Sequence, residues 1–232
     1  MRNKREVLFN VLLLVTALSV FAEIAFILLG TPQAQAQAGG LAQKIFYFHV
    51  PSAYAMYLSG LVCCVASVGY LLKGTETRNA IAKAGAEAAV MFGMMVLTSG
   101  PLWAKKAWGV YWTWDPRLTT SLLSVLIYVA VVLLRTFSGD GRAERTFAAA
   151  LGVLGTVNLP IIHYSVKKWG GNHPVVVTGS GGGLGDPAMY QALTGGFIVM
   201  TLLAIIVIWL RTRAALLETR SRQLEQLVAV RS

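Results

Sequence analysis

Charge is scarce in this chain, and acidic charge is scarcest. Only 13% of its 232 residues are charged, ten of them Asp or Glu against twenty Lys or Arg. A soluble domain carries roughly 25% charged residues, so a surface solvated all round is excluded. Cysteine is almost missing. Cys63 and Cys64 are adjacent, which fits neither a CxxC redox pair nor a metal-ligand spacing and reads as two small buried residues. Histidine occurs three times, and there is no Walker A loop, no Rossmann glycine fingerprint and no internal repeat.

What the chain has instead is apolar length. Hydrophobic residues make up 56% of it and the mean hydropathy is +0.62. Six runs stand out, at Val7–Gly30, Phe48–Leu72, Ala80–Leu102, Leu118–Leu134, Thr146–Val166 and Ala188–Leu210. Each approaches or exceeds the ~20 residues that cross a bilayer core as helix. None shows the every-second-residue alternation of a membrane β-barrel. The expectation is an all-α polytopic membrane protein, with residues 1–232 forming one integral-membrane domain of six transmembrane helices. The start, "MRNKREVLFNVLLLVTALSV" ahead of "AQAQA", has the look of a signal peptide. Its apolar run exceeds the roughly 7–15 residues of a signal core, so an uncleaved first helix is expected.

Lysine and arginine set the orientation. With six spans, Lys44, Lys105, Lys106, Arg117, Lys167 and Lys168 fall on one side, and the remaining fourteen of the twenty fall on the other. The positive-inside rule then places both termini in the cytoplasm and residues 31–47, 103–117 and 167–187 outside, on the periplasmic side in a bacterium. The net charge of +10 reports topology and contact with anionic lipid, not nucleic-acid binding. Residues 211–232 read as a cytoplasmic tail able to form a short amphipathic helix. The glycine-rich "TGSGGGLGDP" near residue 180 reads as a flexible outer loop.

All three histidines lie in or beside the outer segments. His49 follows "IFYF" and precedes Val50-Pro51; proline suits the first turn of a helix, which puts His49 at the outer entrance of the second span. His163 lies in "NLPIIHYSV" and His173 in "WGGNHP". The same face holds five of the six tryptophans, four of them in "WAKKAWGVYWTWDPRLT", residues Trp103 to Thr119. Trp108 and Trp112 are four apart, a spacing that puts both on one side of a short helix, with Tyr111 and Trp114 beside them. Asp115-Pro116 resembles an N-cap followed by proline at the first helical position. Arg117 suits an anion partner or an interface anchor. Tryptophans also form plain interfacial belts, so belt and ligand platform both stay open on the residues alone. No acidic or cysteine cluster accompanies the histidines, which argues against zinc and calcium. Imidazoles, aromatic surface and scattered cations together suit haem: axial nitrogens for iron, faces for the macrocycle, positive charge for the propionates. Two carboxylates lie within the spans, Glu23 near the outer part of the first and Glu87 in the third, where Lys83 at i−4 offers an ion pair.

The stretch "WGVYWTWDPRLT" matches the tryptophan-rich WWD signature W-G-x-x-W-x-W-D-x-R-L-T of haem-handling proteins in cytochrome c maturation. With six spans, "FYFHVPSAY" and "NLPIIHYSV", the chain resembles the CcmC family, also called HelC, over essentially its whole length. The resemblance implies haem b held at a periplasmic WWD surface of the cytoplasmic membrane and passed to the haem chaperone CcmE. CcmD assists, and the ATP-binding pair CcmA and CcmB releases the loaded chaperone. It implies His49 and His173, not His163, as axial iron ligands, with Trp103, Trp108, Tyr111, Trp112, Trp114, Asp115 and Arg117 around the macrocycle. It further implies delivery rather than catalysis: the covalent bond forms on the chaperone. The glycine-rich stretch after His173 would let that ligand swing away. One departure is visible. The family loop carries paired tryptophans ahead of histidine-glutamine, whereas this chain reads "KKWGGNHPVVV", with Trp169 alone and Pro174 in place of glutamine. Two rival readings remain. A b-type membrane redox protein would place histidine pairs mid-span, and none is there; a permease for another solute would show broken helices and midplane polar groups, of which Glu87 is the main instance.

Overall fold

The computed structural model describes residues 4–34, 40–137, 141–171, 173 and 184–229. Six long helices make up almost all of it: α1 (Lys4–Ala25), α2 (Phe46–Lys73), α3 (Glu76–Trp108), α4 (Pro116–Phe137), α5 (Arg142–Trp169) and α6 (Pro187–Ala229). A π-helical turn, Phe26–Gly30, prolongs α1, and a 3-10 turn, Gly40–Ile45, leads into α2. All six helices are long and apolar enough to cross a membrane. Except at the end of α1, they begin and end beyond the apolar runs because helix continues through the charged flanks, as in α3, which starts at Glu76 and runs to Trp108.

α2 and α3 pack most extensively and form the centre of the bundle. α6 lies against both with α1 outside it, while α4 and α5 cover the other flank. The central pair is close because α3 offers little but small side chains: Ala80, Ala82, Ala84, Gly85, Ala86, Ala88 and Ala89 are all buried. Lipid is as apolar as leucine, so packing contact rather than water exclusion holds membrane helices together, and small residues maximise it. Met56, Phe92, Tyr128 and Val131 fill the space between the helices. Hydrogen bonds join α4 to α5, where the Asn158 amide donates to the Thr120 carbonyl at 2.8 Å and to Ser124 Oγ at 2.6 Å. Cys63 is buried and Cys64 half-buried, both as free thiols; residues 178–183 of the glycine-rich stretch lie outside the described residues.

Three helices carry an internal proline, Pro51 in α2, Pro101 in α3 and Pro160 in α5. Each removes a donor from its ladder. Pro51 was expected in a first turn; the helix instead begins at Phe46, so His49 already lies within it. The carbonyl of Tyr47 loses its i+4 donor to Pro51, and α6 comes in at that point through Gly196, where a Cβ would sit 2.8 Å from both the Tyr47 oxygen and Pro51 Cγ. All three prolines lie toward the end of the bundle that holds residues 103–117.

At the opposite end the helices are tied by charge. Arg211 of α6 donates from Nε and Nη2 to the two carboxylate oxygens of Glu87, at 2.7 and 2.9 Å. Lys83, the expected partner of Glu87, pairs instead with Glu218 at 3.0 Å. Helical spacing made Lys83 the local candidate, but α6 supplies a two-pronged guanidinium that matches a carboxylate better. Glu87→Ala is expected to lower stability by about 1–2 kcal/mol, the scale of charged hydrogen bonds discounted for a partly exposed arginine. Thermal unfolding in detergent of Glu87→Ala, Arg211→Ala and the double variant checks it, since the double should lose less than the sum. Glu23 differs: one carboxylate oxygen is buried with no hydrogen-bond partner among the described residues, where it faces Gly195 of α6. The expected separate tail helix is absent, because α6 continues through residue 211 to Ala229.

Candidate functional site

The proline-bearing end of the bundle opens into a cavity of about 580 Å³, within the roughly 300–1,000 Å³ of ligand sites. Its wall draws on α2, α3, α4, α5, α6 and the segment between α3 and α4. All three histidines line it, together with Trp103, Trp108, Trp112 and Arg117. The aromatic stretch is not one helix. α3 stops at Trp108 because Gly109 takes a left-handed φ of 77° and its N–H closes on the Lys105 carbonyl at 3.1 Å. Trp108 and Trp112 therefore reach the cavity from a helix end and from extended chain rather than from one helical face.

Three of the expected residues stand off the wall. Trp114 is 77% exposed and meets Trp112 edge to face, with centroids 5.9 Å apart. Tyr111 is 57% exposed under the Lys105 ammonium, 5.2 Å from its ring centroid. Asp115 is buried and acts as the N-cap, its Oδ1 accepting the Arg117 N–H at 2.8 Å ahead of Pro116 at the first helical position. The carboxylate also fills the space beside Gly171, which sets the chain leading to His173 against the start of α4. Trp103 and Trp108 meet edge to face as well, at 5.4 Å and 83°. A flat ligand can lie face-on to only one ring of each perpendicular pair.

The hydrogen bonds of the histidines differ in a way that matters for metal binding. Ser99 Oγ donates its single proton to the Met95 carbonyl at 2.6 Å, so its 3.0 Å contact with His49 Nδ1 requires the imidazole to be the donor. His49 is thereby held with the proton on Nδ1 and a lone pair on Nε2, the tautomer a metal ligand needs. Gly100 makes room for the ring, since a Cβ there would sit 3.0 Å from His49 Cε1. His173 is placed the other way. Arg117 Nη1 donates to its Nδ1 at 3.3 Å, and a guanidinium can only donate. The same guanidinium donates from Nη2 to the His163 carbonyl at 3.2 Å. His163, set aside on sequence grounds, shares the cavity. Among the described residues no three His, Cys, Asp or Glu side chains gather as a cluster able to hold a metal ion; the imidazoles are spread along the wall.

Three residues of the wall also carry buried donors without acceptors. Trp103 Nε1, Trp112 Nε1 and Arg117 Nε are all buried with no hydrogen-bond partner among the described residues. Each such donor costs about 1–3 kcal/mol until something accepts from it.

Six apolar helices, with a cavity walled by histidine and tryptophan at one end of their bundle, define a polytopic membrane protein. The family model CcmC, Heme exporter protein C, matches residues 2–227, and the chain belongs to that family. It is 36% identical over 195 residues to Heme exporter protein C of Bradyrhizobium diazoefficiens, covering 83% of this chain and 73% of the relative. To the protein of the same name from Escherichia coli it is 36% identical over 135 residues, 58% of this chain and 55% of the relative; the chain thus spans about half the length of that protein. The Paracoccus denitrificans protein of that name is 29% identical over 194 residues, 82% of this chain and 78% of the relative.

Proposed function

We propose that this chain holds haem b in the cavity, at the periplasmic face of a bacterial cytoplasmic membrane, and hands it to the haem chaperone CcmE during cytochrome c maturation. The observation that carries the reading is the meeting of His49, in its metal-ready tautomer, with His173, the tryptophans and Arg117 around one cavity of ligand size. The residues suit the group. Imidazoles serve iron, apolar and aromatic walls serve the macrocycle, and the Arg117 guanidinium serves the propionates. Bound haem supplies an iron centre with two axial positions and a vinyl-bearing edge for a partner.

His49 Nε2 would hold the iron from a fixed position, with His173 as the second ligand. For His173 to offer Nε2 its proton must sit on Nδ1, the atom that now accepts from Arg117, so ligation separates the two and frees the guanidinium for a carboxylate. Release reverses this: Arg117 returns to Nδ1, and His173 is no longer in the ligating tautomer. The chain positions its cargo and leaves bond formation to the chaperone, with CcmD and the CcmA/CcmB pair as membrane partners. The orientation is supported by the fourteen cations on the opposite side, Arg135, Arg145 and Arg211 among them.

The test is the absorbance spectrum of the detergent-purified full chain beside its His173→Ala and His163→Ala variants, followed by mixing with purified apo-chaperone. The expected result is a bis-imidazole spectrum in the wild type and in His163→Ala, an altered spectrum in His173→Ala, and transfer of haem to the chaperone. A wild-type protein that takes up no haem from an excess would return the tryptophans to a membrane belt and sink the proposal.

A further inference from the structure

The cavity is polarised along its length. At the α4–α5 flank it is lined by two cations, Arg117 and Lys167. Arg117 Nη2 sits on the carbonyl of His163, the residue one helical turn before Lys167 on the same face of α5. Lys167 makes no hydrogen bond or ion pair among the described residues. Across the central α2–α3 pair, at the α6 flank, the wall is formed by Phe46, Val50, Tyr54 and Phe197, the last two packed edge to face at 5.2 Å. The other lysines of this side are not available to the cavity. Lys105 donates to the Gly109 carbonyl at 2.9 Å and covers Tyr111, and neither it nor Lys106 lines the wall.

From this asymmetry we infer that Lys167, with Arg117, forms the carboxylate end of the site and fixes which way round an amphiphilic tetrapyrrole lies. Its carboxylates face α4 and α5, and its apolar, vinyl-bearing edge faces Tyr54 and Phe197 between α2 and α6. The inference rests on the haem reading above and adds an orientation to it. The cause is plain electrostatics and desolvation. A carboxylate against the aromatic α6 wall would be stripped of water without a partner, whereas at the other flank it meets two cations. It also places the edge that a partner must reach at the α2–α6 wall, far from the cations.

The test is a binding titration of the full chain in detergent with three probes: iron protoporphyrin, its dimethyl ester, which lacks both carboxylates, and deuterohaem, which lacks both vinyl groups. The wild type is expected to prefer the free acid over the ester by about tenfold or more, the scale of one charge-assisted contact. Lys167→Gln should shrink that preference, Lys167→Arg should restore it, and Lys106→Gln should leave it unchanged. Phe197→Ser should instead blunt the preference for protohaem over deuterohaem while sparing the acid-over-ester preference. Unfolding of the ligand-free variants at the wild-type temperature would show that each is folded. A wild type that binds acid and ester alike, or a Lys167→Gln protein with the full wild-type preference, overturns the orientation and leaves the haem reading standing. A wild type that binds none of the three overturns both.

Discussion

Gly85→Leu is expected to yield no stably folded protein, and Gly85→Ala a weakened one. Gly85 lies where α3 crosses α2, and a Cβ there would stand 2.7 Å from the Cys63 nitrogen, 2.9 Å from its Cα and 3.0 Å from the Ser59 carbonyl oxygen. Every one of these atoms is backbone, so no side chain can rotate out of the way. The two helices must move apart, and theirs is the most extensive contact in the bundle. One methyl group forced into such a crossing costs about 1–3 kcal/mol. A leucine asks for a larger separation, which would also unseat Phe92 and Met56 from the core. Size-exclusion profiles and melting of detergent extracts measure the effect, with Gly185→Ala as the control, since a Cβ at Gly185 meets nothing within 4 Å. A Gly85→Leu protein that purified as a single species with the wild-type melting temperature would show that the helices do not meet this closely.

His49→Ala is expected to lose bound haem almost completely, with affinity falling by more than the roughly 10–100-fold that loss of an orienting partner costs a metal site. The residue stands inside α2 and not on a loop, its ring is seated over Gly100, and its protonation is fixed by Ser99. The other imidazoles of the cavity, His163 and His173, come from α5 and the chain beyond it, not from the α2 side. Ser99→Ala separates orientation from ligation. It removes the acceptor that holds the proton on Nδ1 while leaving the imidazole present, so haem should still bind, about 10–100-fold more weakly, with a bis-imidazole spectrum. His163→Ala serves as the companion with little expected effect. Equal affinity in Ser99→Ala and wild type would show that the serine does not select the tautomer; retained affinity in His49→Ala would move the fixed ligand elsewhere.

The bundle itself was legible in the sequence, because a bilayer demands long apolar runs and each of the six runs lies within one helix, the first of them counted with its π-helical turn. What was not legible is what depends on a partner distant in the chain. Helical spacing offers Lys83 to Glu87, but Arg211 lies 124 residues away and only the packing of α6 on α3 brings it there. The four-residue interval between Trp108 and Trp112 suggests one helical face, and Gly109, sitting between them, was the local signal that the helix ends first. Likewise Asp115 was readable as a cap from the proline after it, whereas its place beside Gly171 needs α5 and α4 side by side. His163 and Lys167 were set aside or passed over, although their four-residue spacing puts both on one face of α5. That spacing was the available clue that a histidine and a cation share a wall.

After Pro187 at its first position α6 runs 43 residues in all with no internal proline, about 64 Å at ~1.5 Å per residue, roughly twice the thickness of a bilayer core. Phe197 of the cavity wall and Arg211, Ala215 and Glu218 at the opposite end thus belong to one rod. α2, α3 and α5 each contain a proline at which motion can be absorbed, but α6 has no such joint. Tilt of its charged end pivots about the Gly196 crossing on α2, so Phe197, one residue from that pivot, keeps its place in the cavity wall.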